Sequence, residues 1–184
     1  MREISEHILD ITQNSIKAMS KLTTILINAD YKNDKLIINI DDNGNGMSEE
    51  FLKNVCDPFS TSRTTRSVGL GIPMFKDTAE KCDGDFIIDS ALYKGTKVSV
   101  NMKISHIDRP PLGSISETMH ILIVSNPDID FYIEYKCDDE KFMLDTRVLK
   151  DTLGEVPLDN QDVSAWIHSS LIEGNNLVFG GKLK

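Results

Sequence analysis

The apolar positions at the start of the chain recur with the period of an amphipathic helix. Steps of three, four and seven residues separate Ile4, Ile8, Ile11, Ala18 and Leu22. This spacing predicts a helix over residues 3–22 with one buried face.

The pattern then changes to that of strands and short helices. Residues 23–28 and 36–41 are mostly β-branched or aliphatic, and the intervening Asn33 and Asp34 are typical of a turn, so these segments predict a β-hairpin. The segments that follow predict a short helix from Ser48 to near Cys56, a loop at 60–68, a helix from Ile72 to Gly84, and strands at 85–90 and 96–104.

A pair of prolines, Pro110 and Pro111, marks a boundary after which the pattern starts again. The elements predicted beyond it are strands at 119–125 and 131–135 and helices at 145–153 and 161–172. We therefore expect a domain over residues 1–104 and a C-terminal extension over residues 105–184 that lengthens the sheet or forms a small subdomain.

Composition and charge narrow the class of protein. The chain has 184 residues, 40% of them hydrophobic, and 20 Lys and Arg against 29 Asp and Glu give a formal net charge of −9. These values are typical of a folded, soluble domain. Most of the excess charge lies in residues 105–184, which hold 7 basic and 14 acidic side chains. Such a region repels a phosphate backbone, so nucleic acid is not an expected partner.

Cysteine usage and hydropathy indicate a protein without disulfides or membrane spans. Cys56, Cys82 and Cys137 are far apart and lack CxxC spacing, so we interpret them as reduced thiols. The start of the chain is charged, and no apolar run is long enough to cross a bilayer. We expect a cytoplasmic protein with no membrane partner.

Three glycine-containing segments are candidates for a phosphate site. They are residues 42–46 (DNGNG), residues 69–71 (GLG), and Gly95 with Thr96. Glycine lets backbone N–H groups approach a phosphate closely, and a helix that begins after GLG would point the positive end of its dipole at an anion. Each segment taken alone is also a common turn or loop.

The polar face of the first helix is a fourth candidate. At 100° per residue, Asp10, Asn14 and Lys17 lie within about 60° of one another, with His7 and Lys21 on the same face. An acid, an amide and an ammonium group thus share one stripe. Such a stripe is also common on the solvated side of a helix.

In order and spacing, these four signals together resemble the GHKL superfamily of ATP-binding domains. DNA gyrase, a heat-shock chaperone, MutL mismatch-repair proteins, histidine kinases and anti-sigma-factor serine kinases share this domain. The boxes of the superfamily match, in chain order, Asp10 with Asn14, residues 42–47, 57–59 (DPF), 69–71 and 95–96. The resemblance covers residues 3–104. It implies an α/β (α+β) two-layer sandwich of the Bergerat type, in which helices cover one face of a mixed, mostly antiparallel sheet.

The resemblance also implies the residues that bind the adenine of ATP or ADP. Asp42 would accept a hydrogen bond from the exocyclic amine of the base, with Thr96 assisting through a water. Gly46 would let the base lie close to the backbone, and Gly44 and Met47 belong to the same box.

At the phosphate end, the resemblance implies that Asn14 coordinates the Mg²⁺ that bridges the phosphates. The other phosphate-contacting positions that it implies are Lys17, Arg63, Arg66, Gly69, Leu70 and Gly71. The two arginines fall in the segment that corresponds to the ATP lid, where they either contact the outer phosphates or remain solvated loop charges.

Position 10 departs from the usual pattern. Hydrolases and serine kinases of the superfamily usually carry Glu there as a general base, whereas histidine kinases commonly carry Asn. Asp10 is an acid that is one methylene shorter, and we take it as the candidate catalytic residue. Lys17 instead resembles the histidine kinases, so the motifs point in two directions.

Three functional hypotheses follow. The first is a Mg²⁺-dependent ATP-binding protein that acts as a slow ATPase or a nucleotide-driven switch on a protein partner. The second is a protein kinase, either an anti-sigma-type serine kinase or the catalytic subunit of a histidine kinase. The third is a nucleotide-sensing interaction module without turnover. An acid at position 10 favours the first two, and the acidic C-terminal region fits a protein partner in all three.

Overall fold

The computed structural model describes residues 2–56 and 70–183. These residues form one six-stranded sheet with the strand order β3-β4-β2-β1-β5-β6. The elements in chain order are α1 (Ile4–Lys17), β1 (Leu22–Asp30), β2 (Lys35–Asp42), α2 (Glu49–Asn54), α3 (Gly71–Lys81), β3 (Asp85–Ala91), β4 (Gly95–Lys103), α4 (Ile115–Val124), β5 (Asp130–Cys137), β6 (Glu140–Asp145), α5 (Thr146–Leu153) and α6 (Gln161–Val178).

The sheet is mixed and mostly antiparallel. Strands β1 and β5 pair in parallel, and the other four strand pairs are antiparallel. Burial alternates along the central strands, as expected for a sheet with one covered face. Helices α3, α1, α4 and α6 contact one another in that order above the covered face. The expected two-layer sandwich of helices on a mixed sheet is therefore confirmed.

The predicted hairpin is also confirmed, since β1 and β2 pair antiparallel from Thr23 with Asp42 to Asp30 with Lys35. The first helix is shorter than expected. It ends at Lys17, because Met19 adopts a φ of 61° and Leu22 already begins β1. Ser48 begins α2 as predicted, and its side chain accepts a hydrogen bond from the backbone N–H of Phe51 at 3.2 Å.

The prediction of a strand at residues 119–125 is wrong. This segment belongs to α4, in which the buried residues Ile115, Met119, Leu122 and Ile123 follow helical spacing. A continuous apolar run has no period that separates a buried strand from a buried helix. Strand β6 was not predicted, because its sequence, EKFMLD, does not alternate between apolar and polar residues.

Residues beyond 104 extend the same sheet. Strand β5 lies beside β1, and β6 forms an edge of the sheet. The backbone N–H groups of Ile4 and Ser5 donate to the carbonyls of Pro111 and Leu112, each at 3.0 Å, so the start of α1 is tied to this region. Within the described residues, no helix has the length and apolar character needed to cross a membrane.

Candidate functional site

Helix α1 supplies the polar side chains at the centre of the site. Its apolar face is buried against the sheet through Ile4, Ile8 and Ile11. Asn14 is half-buried and Lys17 is exposed, and both line a cavity between α1 and the sheet. The structure thus places part of the predicted stripe at a cavity rather than in open solvent.

Asp42 ends β2 at the floor of this cavity and is buried, with 6% of its surface exposed. The hydroxyl of Ser15 donates to its Oδ2 at 2.7 Å, and the backbone N–H of Gly44 donates to its Oδ1 at 2.9 Å. Two donors therefore fix the orientation of a buried carboxylate, which is costly to bury without partners. The carboxylate retains acceptor capacity toward the cavity.

Two glycines allow the loops around Asp42 to close on each other. Gly46 has a φ of 62°, and a Cβ there would strike the carbonyl of Ala91. Gly95 has a φ of 84°, and a Cβ there would strike the carbonyl of Asp42. Glycine is required at both positions by the backbone angle and by the close approach. Asp42 is consequently held against the β3–β4 turn.

Ser90 joins two of these loops and was not identified from the sequence. Its hydroxyl accepts a hydrogen bond from the backbone N–H of Met47 at 2.9 Å and lies 2.9 Å from the hydroxyl of Thr96. Thr96 is the register partner of Asp42 across β2 and β4. Ser90 lies near the end of β3 and belongs to no motif that marks it, so only the fold reveals this contact.

The cavity has a volume of about 180 Å³ and mostly apolar walls. Its polar lining includes the buried Asp42 and the exposed Lys17. The side chains and glycine that line it are Ile11, Asn14, Ser15, Lys17, Ala18, Ile40, Asp42, Gly46, Met47, Phe51, Val55, Ile72, Ile88, Thr96 and Val98. Such a cavity fits a flat heteroaromatic ring with an amine that faces the carboxylate.

Asp10 meets the start of α3. A Cβ at Gly71 would lie 2.9 Å from the Cβ of Asp10 and 3.0 Å from its Oδ2, so the absence of a side chain at position 71 makes room for the carboxylate. Leu70, at the N-cap of α3, makes no side-chain capping hydrogen bond, and 57% of its surface is exposed. The structure therefore brings together Asp10, Gly71 and the N-terminus of α3, outside the cavity that holds Asp42.

His7 does not lie on a solvated face. It is 1% exposed, and its ring stacks on Phe75 of α3 with 4.6 Å between centroids and 11° between planes. Its Nε2 lies 3.2 Å from the hydroxyl of Thr78, which itself donates to the carbonyl of Met74. Nε2 is therefore the donor, and Nδ1 has no partner among the described residues. Burial lowers the pKa of His7 to about 4.

Some predicted site residues fall outside the part of the chain that the structure describes. These are Arg63, Arg66, Gly69 and the DPF segment at 57–59. Of the described candidates, the structure gathers Asn14, Lys17, Asp42, Gly46, Met47 and Thr96 at the cavity.

The chain is similar to known proteins over its first part. The family model described as histidine kinase-, DNA gyrase B- and HSP90-like ATPase matches residues 2–106. Sporulation kinase D of Bacillus subtilis is 30% identical over 102 residues, which are 55% of this chain and 20% of that kinase. Sporulation kinase C of the same organism is 30% identical over 98 residues, which are 53% of this chain and 23% of that kinase. The matched region is thus about a quarter or less of these relatives.

The solved structures that resemble this chain share its fold over a longer stretch. The MutL ATPase domain of Aquifex aeolicus, solved with ADP, matches with a TM-score of 0.54 and 10% identity, over 92% of this chain and 88% of that one. The N-terminal domain of a DNA repair protein matches with a TM-score of 0.55 and 13% identity, over 79% of this chain and 53% of that one. At these identities the likeness concerns the fold alone.

Proposed function

The chain belongs to the family of histidine kinase-, DNA gyrase B- and HSP90-like ATPases, and from this premise we propose that it binds ATP or ADP with Mg²⁺ and couples the nucleotide to a protein partner. The buried carboxylate of Asp42 carries the proposal. Its Oδ1 and Oδ2 each hold one donor, from Gly44 and Ser15, and it lies at the floor of an apolar cavity. An adenine amine would complete its hydrogen bonding.

The donor chemistry is compatible with Mg²⁺. Within the described residues, no group of three or more His, Cys, Asp or Glu side chains is arranged to hold a metal ion. Mg²⁺ commonly uses one or two protein oxygens together with substrate phosphates and water. The amide oxygen of Asn14, which lines the cavity, would be such a ligand. The ion would neutralise phosphate charge when bound.

The remaining residues would position the phosphates and a proton acceptor. Lys17 lies at the cavity and the N-terminus of α3 begins at Gly71, so a phosphate chain between them would meet an ammonium group and backbone N–H groups. Asp10 lies against the same helix start, which supports its role as the general base toward water or a hydroxyl. In this arrangement a slow ATPase or switch is the first candidate function.

A protein kinase is the second candidate function. The relatives named sporulation kinases favour it, and Lys17 resembles the histidine kinases at the corresponding position. Incubation with γ-labelled ATP, with and without added cell proteins, separates the candidates. Released phosphate without labelled protein supports the ATPase, and label on an added protein supports the kinase. The absence of both signals supports a nucleotide sensor.

Replacement of Asp42 tests nucleotide binding itself. Asp42→Asn should weaken ATP binding by about 1 to 3 kcal/mol, because a polar group of the base is left unmatched. The matched control is Asp41→Asn on the exposed side of the same strand, where Asp41 pairs with Lys97 at 3.2 Å. The control should bind ATP like the parent. Equal affinity of the parent for ATP and GTP in a calorimetric titration would contradict the proposal.

The lid assignment rests on the sequence, since Arg63 and Arg66 lie outside the described residues. We propose that phosphates recruit these arginines when ATP binds. Mg²⁺-ATP should then protect both positions from trypsin. Cleavage at the same rate with and without the nucleotide would exclude a lid in this segment.

A further inference from the structure

Three segments meet at one end of the sheet and form a surface that we name the three-loop rim. They are residues 18–21 after α1, 43–47 after β2, and 91–95 between β3 and β4. The backbone N–H of Asn45 donates to the carbonyl of Ala18 at 2.7 Å, and the N–H of Tyr93 donates to the carbonyl of Asn45 at 2.7 Å. Asn45 therefore joins the other two segments into one surface.

The rim displays large apolar side chains at positions where the backbone disfavours them. Met19 has a φ of 61° and Tyr93 a φ of 62°, and 67% and 84% of their surfaces are exposed. The other described non-glycine residues at positive φ are all Asp, which tolerates this region: Asp34, Asp83 and Asp138. Leu92, beside Tyr93, is 54% exposed. Strain combined with exposure of apolar surface is expected where a side chain serves recognition rather than folding.

The charge of the rim is opposite to that of the chain. The three segments contain no Asp or Glu but include Lys21 and Lys94, whereas the whole chain has a net charge of −9. Among the described residues, neither lysine side chain has an ion-pair partner. The rim therefore combines exposed apolar side chains with two positive charges that no described side chain pairs.

We propose that the three-loop rim binds an acidic protein segment that also carries apolar side chains. Two lysines match a few carboxylates, while Met19, Leu92 and Tyr93 supply the apolar contact that a protein segment can fill. Binding to nucleic acid or to an anionic membrane depends on larger clusters of basic residues than the rim contains. The observations thus favour a protein over a phosphate-rich surface.

The rim adjoins the nucleotide cavity through shared loops. Its middle segment contains Gly46, which lines the cavity, and its third segment ends at Gly95, which packs on Asp42. Occupation of the rim would therefore restrain the loops that hold Asp42. This link to nucleotide rests on the proposed function, whereas binding at the rim does not.

The test uses a fluorescein-labelled synthetic peptide that forms an amphipathic helix of Glu and Leu, and measures its fluorescence anisotropy with the full chain. One control peptide replaces Glu with Lys, and a second replaces Leu with Ala. The parent protein should bind the Glu and Leu peptide at least about tenfold more tightly than either control peptide. Equal binding of the Lys peptide, or binding only to phosphatidylserine vesicles, would overturn the proposal.

The decisive variant is Met19→Gly combined with Tyr93→Gly. Glycine suits both backbone angles, so the variant should unfold at the same or a higher temperature than the parent. It should bind the Glu and Leu peptide at least about tenfold more weakly, because the apolar anchors are gone. The control is Ile107→Ser, which removes a 95% exposed side chain beyond the other end of β4. Parental peptide affinity in the glycine variant would overturn the proposal.

Charge reversal gives an independent measurement. Lys21→Glu with Lys94→Glu should weaken binding of the Glu and Leu peptide and strengthen binding of the Lys peptide. An ATP titration of the same proteins keeps the two proposals separate. A parent that binds the peptide but not ATP would contradict only the proposed function, and one that binds ATP but not the peptide would contradict only the rim.

Discussion

The two regions of the molecule share one sheet but differ in what they bury. In the described part of the region that matches the family, seven polar side chains are buried: Ser5, His7, Thr12, Ser15, Ser20, Thr23 and Asp42. In the described residues beyond 106, the buried polar side chains are Ser116, Thr118 and Thr146. Burial of polar groups costs stability unless they are hydrogen-bonded, so their concentration on one side indicates where the fold serves a site.

The hydrogen bonds of these groups show the same difference. Beyond residue 106, the hydroxyl of Ser116 donates to the carbonyl of Leu171, and the hydroxyl of Thr146 accepts from the N–H of Phe131. Each of these bonds ties two elements of the scaffold together. In the first region, Ser15 instead orients Asp42 toward a cavity, and His7 Nδ1 has no partner among the described residues. Ser15 and Asp42 of the first region therefore lie at a cavity, whereas Ser116 and Thr146 of the second region link elements of the scaffold.

The largest effect that would test this division is expected at Asp10. Asp10→Asn should lower turnover of ATP by about 10² to 10⁴-fold with little loss of ATP affinity, because a general base acts mainly in the transition state. Glu6→Gln, an exposed acid on the same helix, is the matched control. Unchanged turnover in Asp10→Asn would contradict the role of Asp10 as the general base.

Asn14→Ala should behave differently from Asp10→Asn. Loss of a metal ligand should weaken Mg²⁺-dependent ATP binding and turnover together, and a higher Mg²⁺ concentration should partly restore both. Circular dichroism checks that the variant keeps its helix. If raised Mg²⁺ has no effect on the variant, Asn14 is not a metal ligand.

His7 should make the first region sensitive to acid. Its folded-state pKa of about 4 lies below the ordinary value of 6.5 for the unfolded chain, so between these values the unfolded chain binds the extra proton. Stability is full above about pH 6.5 and falls by up to about 3 kcal/mol as the pH drops toward 4. Urea unfolding at several pH values should show this slope in the parent and a shallower one in His7→Leu. Identical slopes would show that the imidazole is not held neutral.

How far the sequence alone predicts these features depends on whether they are local. The cap at Ser48 and the β1–β2 hairpin depend on neighbouring residues and were predicted. The contact between Ser15 and Asp42 joins residues 27 positions apart, and it was not predicted. The burial of His7 depends on where α3 packs, so helical periodicity placed it incorrectly on the polar face. In the second region no resemblance was available, and the apolar run of α4 was mistaken for a strand.

A packing effect of moderate size is expected in the second region at Gly174. This glycine lies in the middle of α6, and a Cβ there would overlap the ring of Phe142 on β6. Alanine normally stabilises a helix interior by about 1 kcal/mol relative to glycine. Gly174→Ala should nevertheless destabilise the protein by about 1 to 3 kcal/mol, because the overlap forces a shift in the core. A denaturant titration measures this, and ATP affinity should stay unchanged. A stabilised variant would show that α6 packs loosely.

The smallest effect is expected at Tyr135, which, like His7 of the first region, has a buried polar atom without a hydrogen-bond partner among the described residues. Tyr135 is fully buried against Phe142 and Phe179, with 5.6 Å between ring centroids in each case, and its hydroxyl has no hydrogen-bond partner among the described residues. Tyr135→Phe removes the unsatisfied group and keeps the ring. The variant should therefore be more stable by about 1 kcal/mol, which thermal unfolding can detect.

The result at Tyr135 also bears on the division between the regions. If the second region serves packing alone, Tyr135→Phe should raise stability and leave ATP affinity and turnover at parental values. Destabilisation by about 1 kcal/mol would mean that the hydroxyl is hydrogen-bonded in solution. A loss of ATP affinity in a stabilised variant would mean that the buried hydroxyl influences the nucleotide site through the paired strands β5 and β1. The two regions would then form one functional unit.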